Sequence, residues 1–251
     1  MIQRFNKVSN GKVGRNEELL GLNPAYRYFV GVEATDSSFL LSLVDFAGNV
    51  IVAKESASIE ETDAFVGECA QNYSPIAGIG VLAKGEKERL LIETLSKRGY
   101  PCYEGSLSSA LAGIYALTHP EAKNFMTLCL EGELDSSISI NREIYGREAG
   151  NISYIYQADG KTLGDIMGDA VDSGCWTPLA STLINFQIVL KIDDILCFGA
   201  TLGEESTIDA IKKEALRIRQ DFDSSVIKPF AGYDELTPYR AALYCLFRFL
   251  Y

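Results

Sequence analysis

From Arg27 onward the chain sets apolar and polar positions in short alternating runs bounded by turn residues, the pattern of a β meander. RYFVGVEA, FLLSLVDF and NVIVAKES follow one another closely, the last two joined through Ala47-Gly48-Asn49. The pattern then turns helical over Glu60 to Cys69, with Ile59, Phe65 and Val66 apolar. IAGIGVL, from Ile76 to Leu82, is a continuous apolar run, as expected of a strand covered on both faces. Glu86 to Arg98 predicts an amphipathic helix stopped by Gly99, followed by the strand YPCYEG. Leu107 to Leu117 predicts a helix of small residues that packs closely on its neighbours.

A second meander is predicted from Asn124 through Glu143-Ile144-Tyr145, and then a polar stretch to about Gly160. Pro178 opens an apolar helix, Asp194 to Phe198 reads as a short buried strand, and Gly199 stops it. Ser206 and Asp209 have capping-box spacing before IDAIKKEALRIRQ. Val226 to Phe230 is the last predicted strand, and Thr237 with Pro238 is placed to open a closing helix. Residues 1 to 26 are polar and turn-rich, an arm with one short strand.

Two of these stretches share one plan. Tyr28 to Val44 and Phe125 to Ile140 each read as a strand, an Asp-Ser-Ser turn and a second strand. Meanders followed by alternating strands and helices, given twice, predict an α/β chain with mixed sheets. The repeat predicts two related lobes, 1–120 and 121–251, facing across a cleft, with a closing helix over 238–250 placed to pack back on the first.

Composition narrows the function classes. The 251 residues carry a formal charge of −11, which disfavours nucleic acid as a direct partner. The cluster Lys212, Lys213, Arg217 and Arg219 reads as a solvated helix face. The first 20 residues lack the apolar core of a signal peptide, and no run approaches about 18 apolar residues, so no membrane partner is expected. Six scattered cysteines without a C-x-x-C pair read as reduced thiols of a cytoplasmic protein. His119 is the only histidine, which argues against a histidine-based zinc site or a Ser-His-Asp triad.

The order of elements and several strings resemble the ROK family of bacterial repressors and sugar kinases. They are LGLNPAYRYFVGVE, VDFAGNVI, IAGIGV, NREIYGREAGNISY, LINFQIVLKIDDILCFGATL and RAALYCLFRFL, spread from about Gly14 to Tyr251. The resemblance implies the two-lobe actin-like ATPase fold, which is ribonuclease H-like. It also implies where chemistry would sit. The family's phosphate turn Asp-x-Gly-Gly-Thr falls on Glu33-Ala34-Thr35-Asp36-Ser37, without glycine. Its second-lobe turn Gly-Thr-Gly-x-Gly falls on Glu131-Gly132-Glu133-Leu134-Asp135. Glu33, Thr35, Gly132 and Gly199 are thus implied as a nucleotide-binding vestige.

The sugar side departs as well. The family's Glu-Asn-Asp-Ala-Asn string, source of the catalytic Asp, becomes Glu104-Gly105-Ser106-Leu107-Ser108, and a serine cannot serve as a carboxylate base. Glu-Ile-Gly-His becomes Asn151-Ile152-Ser153-Tyr154, and the cysteine-rich zinc loop is absent. About 25 residues precede the first lobe, fewer than a DNA-reading helix-turn-helix module needs.

Weighed singly, Glu33 and Asp36 suit a metal pair but read better as a solvated turn. Glu131, Glu133 and Asp135 likewise suit a cation but read better as an exposed acidic turn. Glu104, Ser106, Asn151 and Tyr154 are left as weak ligand contacts, and Trp176 as a helix anchor. The expectation is a non-catalytic, ROK-like ligand-sensing or interaction body with no cofactor, able to take a small sugar or polyol and to self-associate. The alternative is a divergent sugar kinase using Mg-ATP.

Overall fold

The computed structural model describes residues 1–4, 20–83, 85–146 and 150–251. Tertiary contacts divide the chain into two units, one of residues 1–104 with 241–251 and one of residues 105–240. Each is built on a five-stranded mixed sheet.

In the first unit, strands β1 (Ile2–Arg4) and β2 (Leu20–Leu22) form a separate antiparallel pair. The expected arm therefore has two short strands; residues 5–19, between them, lie outside the described residues. Strands β3 (Tyr28–Ala34), β4 (Phe39–Asp45) and β5 (Val50–Ser56) then form the predicted meander. Helix α1 (Ile59–Asn72) is capped by the Ser58 side chain, which accepts from the Glu61 N–H. Strand β6 (Ile76–Leu82) returns parallel to β3. Helix α2 (Gly85–Ser96) and strand β7 (Cys102–Gly105) follow, and the sheet order is β5-β4-β3-β6-β7.

The second unit repeats this path. Helix α3 (Leu107–Thr118) leads into β8 (Phe125–Glu131), β9 (Glu133–Ile140) and β10 (Glu143–Tyr145). Helices α4 (Leu163–Ser173) and α5 (Thr177–Leu190) precede β11 (Asp194–Phe198), which pairs parallel to β8. A short helix α6 (Gly199–Leu202), α7 (Glu205–Ile218) and β12 (Ile227–Pro229) complete it, and the order β10-β9-β8-β11-β12 matches the first sheet position for position. A short α8 (Tyr233–Leu236) precedes the closing helix α9 (Arg240–Leu250), whose residues from 241 on belong to the first unit.

Each sheet buries its own core. Val32, Leu41, Ile79 and Leu91 are fully buried in the first unit, and Met126, Leu128, Leu183 and Ile195 in the second. Trp176 is buried in the latter core at the head of α5, the position expected of a helix anchor.

Three details correct the sequence reading. The Asp-Ser-Ser of the second hairpin is not its turn. Gly132 makes that turn at φ +74°, and Asp135, Ser136 and Ser137 lie inside β9. The strand tolerates them because its buried serines are bonded: Ser137 Oγ donates to the Tyr145 carbonyl at 2.9 Å and Ser139 Oγ to that of Lys123 at 3.1 Å. Second, Ser206 caps nothing; α7 starts at Glu205 with Glu204 as N-cap. Third, α9 begins at Arg240 because Thr237 ends the unforeseen α8. Helix α4 was also missed, although Thr162 and Asp165 form a full capping box at its start.

Candidate functional site

The turn joining β3 to β4 is where a phosphate grip is implied. Thr35 and Ser38 close it on themselves. The Thr35 N–H donates to the Ser38 carbonyl at 2.9 Å, and the Ser38 N–H to Thr35 Oγ1 at 3.1 Å. From α2, Lys87 Nζ donates to the carbonyls of Thr35 (2.7 Å) and Asp36 (2.6 Å). The turn thus offers carbonyl oxygens to a cation, the reverse of the N–H groups an anion needs. Glu33 is buried at the end of β3 rather than solvated, while Asp36 is exposed.

Glu104 and Ser106 flank the start of α3. The exposed Glu104 has its carbonyl bonded by the Tyr244 hydroxyl at 2.9 Å. Ser106 is the N-cap of α3: its Oγ accepts from the Ser109 N–H at 3.2 Å, and Ser109 Oγ accepts from the Ser106 N–H at 2.8 Å. Its hydroxyl is therefore committed to the helix end. Asp135 is also drawn there. It is 6% exposed, and its Oδ2 accepts from the Ser108 N–H at 3.0 Å. This corrects the expectation of an exposed three-acid turn: Glu131 and Glu133 are exposed, whereas Asp135 is buried on a helix N-terminus, where a carboxylate is favoured. Among the described residues, no group of three or more His, Cys, Asp or Glu side chains is placed to hold a metal ion.

Asn151 has a structural duty as well, its Oδ1 accepting from the Ser153 N–H at 3.0 Å and from Ser136 Oγ at 3.3 Å. Tyr154, one turn on, is 59% exposed. Of the four sugar-side candidates, Ser106 and Asn151 are held by their own backbone, and Tyr154 faces solvent.

Gly199 sits where β11 gives way to α6, at φ +85°, a backbone conformation that only glycine adopts freely. A Cβ there would lie 2.8 Å from Glu131 Oε1 and 3.1 Å from Cys129 Sγ. Gly199 and Glu131 line one cavity of about 690 Å³ with Phe198, Glu204, Tyr233 and Asp234. The Tyr233 hydroxyl donates to Glu131 Oε1 at 3.2 Å, and burial pushes it up to about 12. Burial likewise pushes the Cys197 thiol, in the same wall, up to about 12, which keeps it protonated and unreactive. With Glu235 the cavity carries four carboxylates, and no Lys or Arg lines it among the described residues. Arg240, over the Tyr233 ring at 5.2 Å, is one cation beside those four carboxylates, so a polyphosphate is poorly served. The aromatic and acidic residues of 229–236 carried no recognisable motif, and Lys87 gave no signal because its partners are carbonyls 51 and 52 residues away.

Gly199→Ala should destabilise the second unit by about 1–2 kcal/mol from the left-handed backbone alone, and further through the contact with Glu131. A lower urea midpoint at unchanged slope is the expected reading; an unchanged midpoint would show that the turn relaxes freely.

Two mixed sheets of identical strand order, each with helices following its parallel strands, define the actin-like ATPase fold. No family model and no curated protein matches the sequence. Solved structures match it in fold. A ROK family protein from Streptococcus pneumoniae TIGR4, in complex with sucrose, is 14% identical with a TM-score of 0.63, over 88% of this chain and 98% of that one. A ROK family transcriptional regulator, a homologue of the E. coli MLC protein, is 12% identical with a TM-score of 0.65, over 99% of this chain and 85% of that one. A ROK family glucokinase from Streptomyces griseus, in complex with glucose and AMPPNP, is 14% identical with a TM-score of 0.55, over 87% of this chain and 98% of that one. The chain has the fold these ROK proteins share.

Proposed function

We propose that this chain is a ROK-like protein without phosphoryl transfer, a cytoplasmic body that senses a small sugar or polyol or serves as an interaction module. The observation that carries the reading is the β3–β4 turn, where Lys87 is bonded to the Thr35 and Asp36 carbonyls and no glycine brings N–H groups forward. The acid-lined cavity beside Gly199 and the commitment of Ser106 to a helix cap point the same way. The sucrose-bound and glucose-bound ROK structures support a sugar as the ligand class. The regulator, similar over 99% of this chain, supports sensing as the use.

Thermal unfolding with a panel of monosaccharides and polyols, and separately with Mg-ATP, tests the proposal. A ligand at a hundred times its Kd stabilises by about 2.7 kcal/mol, which raises Tm by several degrees in a chain of this size. We expect such a rise with one sugar or polyol and none with Mg-ATP. A rise with Mg-ATP accompanied by sugar-dependent ADP release would make the chain a divergent sugar kinase instead.

A further inference from the structure

A second cavity of the 105–240 unit lies between the end of α3, strand β12 and the segment 229–236. Its volume is about 390 Å³, within the roughly 300–1,000 Å³ usual for small-molecule sites. It contains none of the candidate residues considered above apart from those of the shared 229–236 wall.

Its walls are apolar and aromatic, with Ile114, Leu196 and Phe230 beside Tyr115 and His119. The Tyr115 and His119 rings stack at 4.1 Å between centroids and 19° between planes. Tyr115 also meets Phe125 edge-on at 4.9 Å and Phe230 at 6.1 Å. It is fixed at its far end, where the hydroxyl donates to Asp194 Oδ2 at 2.5 Å. Burial, together with that bond, holds the hydroxyl well above the usual tyrosine value, so it stays protonated. Tyr115, with its hydroxyl bonded and one ring face covered by His119, is thus ordered before any ligand arrives.

The cavity's lysine is already paired. Lys228, on the rim, is ion-paired with the other oxygen of Asp194, and Glu235 supplies a carboxylate to the same lining. An anion would meet a cation that is already paired, and a cation would gain only the solvent-exposed carboxylate of Glu235. His119 Nδ1 shares a hydrogen bond with Thr118 Oγ1 at 2.9 Å, so Nε2 is the polar atom the ring has left to offer. Aromatic rings prefer offset-stacked or edge-to-face neighbours, worth about 0.5–1.5 kcal/mol each beyond the area buried.

We propose that this cavity binds a flat, uncharged aromatic small molecule, packed against Tyr115, His119 and Phe230. Phe230, Gly232 and Glu235 also line the larger acidic cavity, so the two sites share a wall and an occupant of one bears on the other.

His119 is the chain's only histidine, so its imidazole protons give one set of NMR signals for the whole protein. The probes are indole (flat, neutral), benzoate (flat, anionic), benzylamine (flat, cationic) and cyclohexanol (neutral, not flat). Indole should shift the His119 signals saturably and give intermolecular NOEs to them, with at least tenfold higher affinity than the other three. Ala231→Trp, which fills the cavity from an exposed position, should abolish both effects while leaving the amide spectrum dispersed. The NOEs in the unaltered protein keep the test decisive should the variant fail to fold. Overturning results are no saturable shift with indole, no NOE, an equal affinity for any other probe, or an indole response that survives in folded Ala231→Trp.

Discussion

Gly80→Val should cost the first unit more than about 3 kcal/mol, the upper end for overpacking that side chains can absorb. A Cβ at Gly80 would stand 2.1 Å from the Ala241 carbonyl oxygen, and one at its register partner Gly31 would stand 2.2 Å from the Ala242 nitrogen. Two facing glycines on β3 and β6 therefore form a trough that receives the first turn of α9. The contact is backbone against backbone, so no rotamer change relieves it, and the helix would have to lift from the sheet. Against a total stability of about 5–15 kcal/mol, that is a large fraction. A urea titration followed by far-UV circular dichroism should show a sharply lower midpoint or an early separate transition. Gly168→Ala is the control, because its Cβ would meet nothing within 4 Å, on the exposed side of α4. Replacing a helical glycine by alanine should stabilise by up to about 1 kcal/mol. If both variants unfolded alike, the trough would not be what holds α9.

Asp135→Ala should be the most costly change among the candidate site residues, at about 2–3 kcal/mol. It strands the Ser108 N–H, in a residue fully buried, without its acceptor, a loss of about 1–3 kcal/mol. It also removes a negative charge from the N-terminus of α3, typically worth about 0.3–1 kcal/mol. Asp135→Asn keeps an oxygen acceptor in place and should lose only about the charge contribution. Amide hydrogen exchange at Ser108 reads the effect locally, with faster exchange in the alanine variant than in the asparagine one. A rise in the melting temperature of the unaltered protein with Mn²⁺ or Ca²⁺, lost in Asp135→Asn, would instead make Asp135 a metal ligand.

Those two sites show what periodicity can and cannot carry. The strands of both sheets were legible because apolar alternation and continuous apolar runs report burial directly, as in FVGVE and IAGIGVL. The second hairpin was misplaced by three residues because Asp-Ser-Ser looks like a turn. Inside β9 those side chains are satisfied by partners as distant in sequence as Ser108 and Tyr145. Helix α4 was hidden by its two glycines, Gly164 and Gly168, which outweighed a capping box that was readable at Thr162 and Asp165. At the candidate site, the loss of glycine from the β3–β4 turn could be read directly. That Lys87 faces its carbonyls could not, since a lysine's partner is set by tertiary structure alone. Ser106 is the converse case: its inability to act as a base followed from its chemistry, and the structure added the helix cap that occupies it.

The division of the chain gives the closing helix a further role. The first unit needs residues 241–251, whereas the second is one unbroken segment, 105–240. During synthesis at about 5–20 residues per second, domains ordinarily complete in order from the N-terminus. Here the order is inverted: the inner segment can mature first, while the N-terminal sheet waits with its glycine trough open until residues 241–251 emerge.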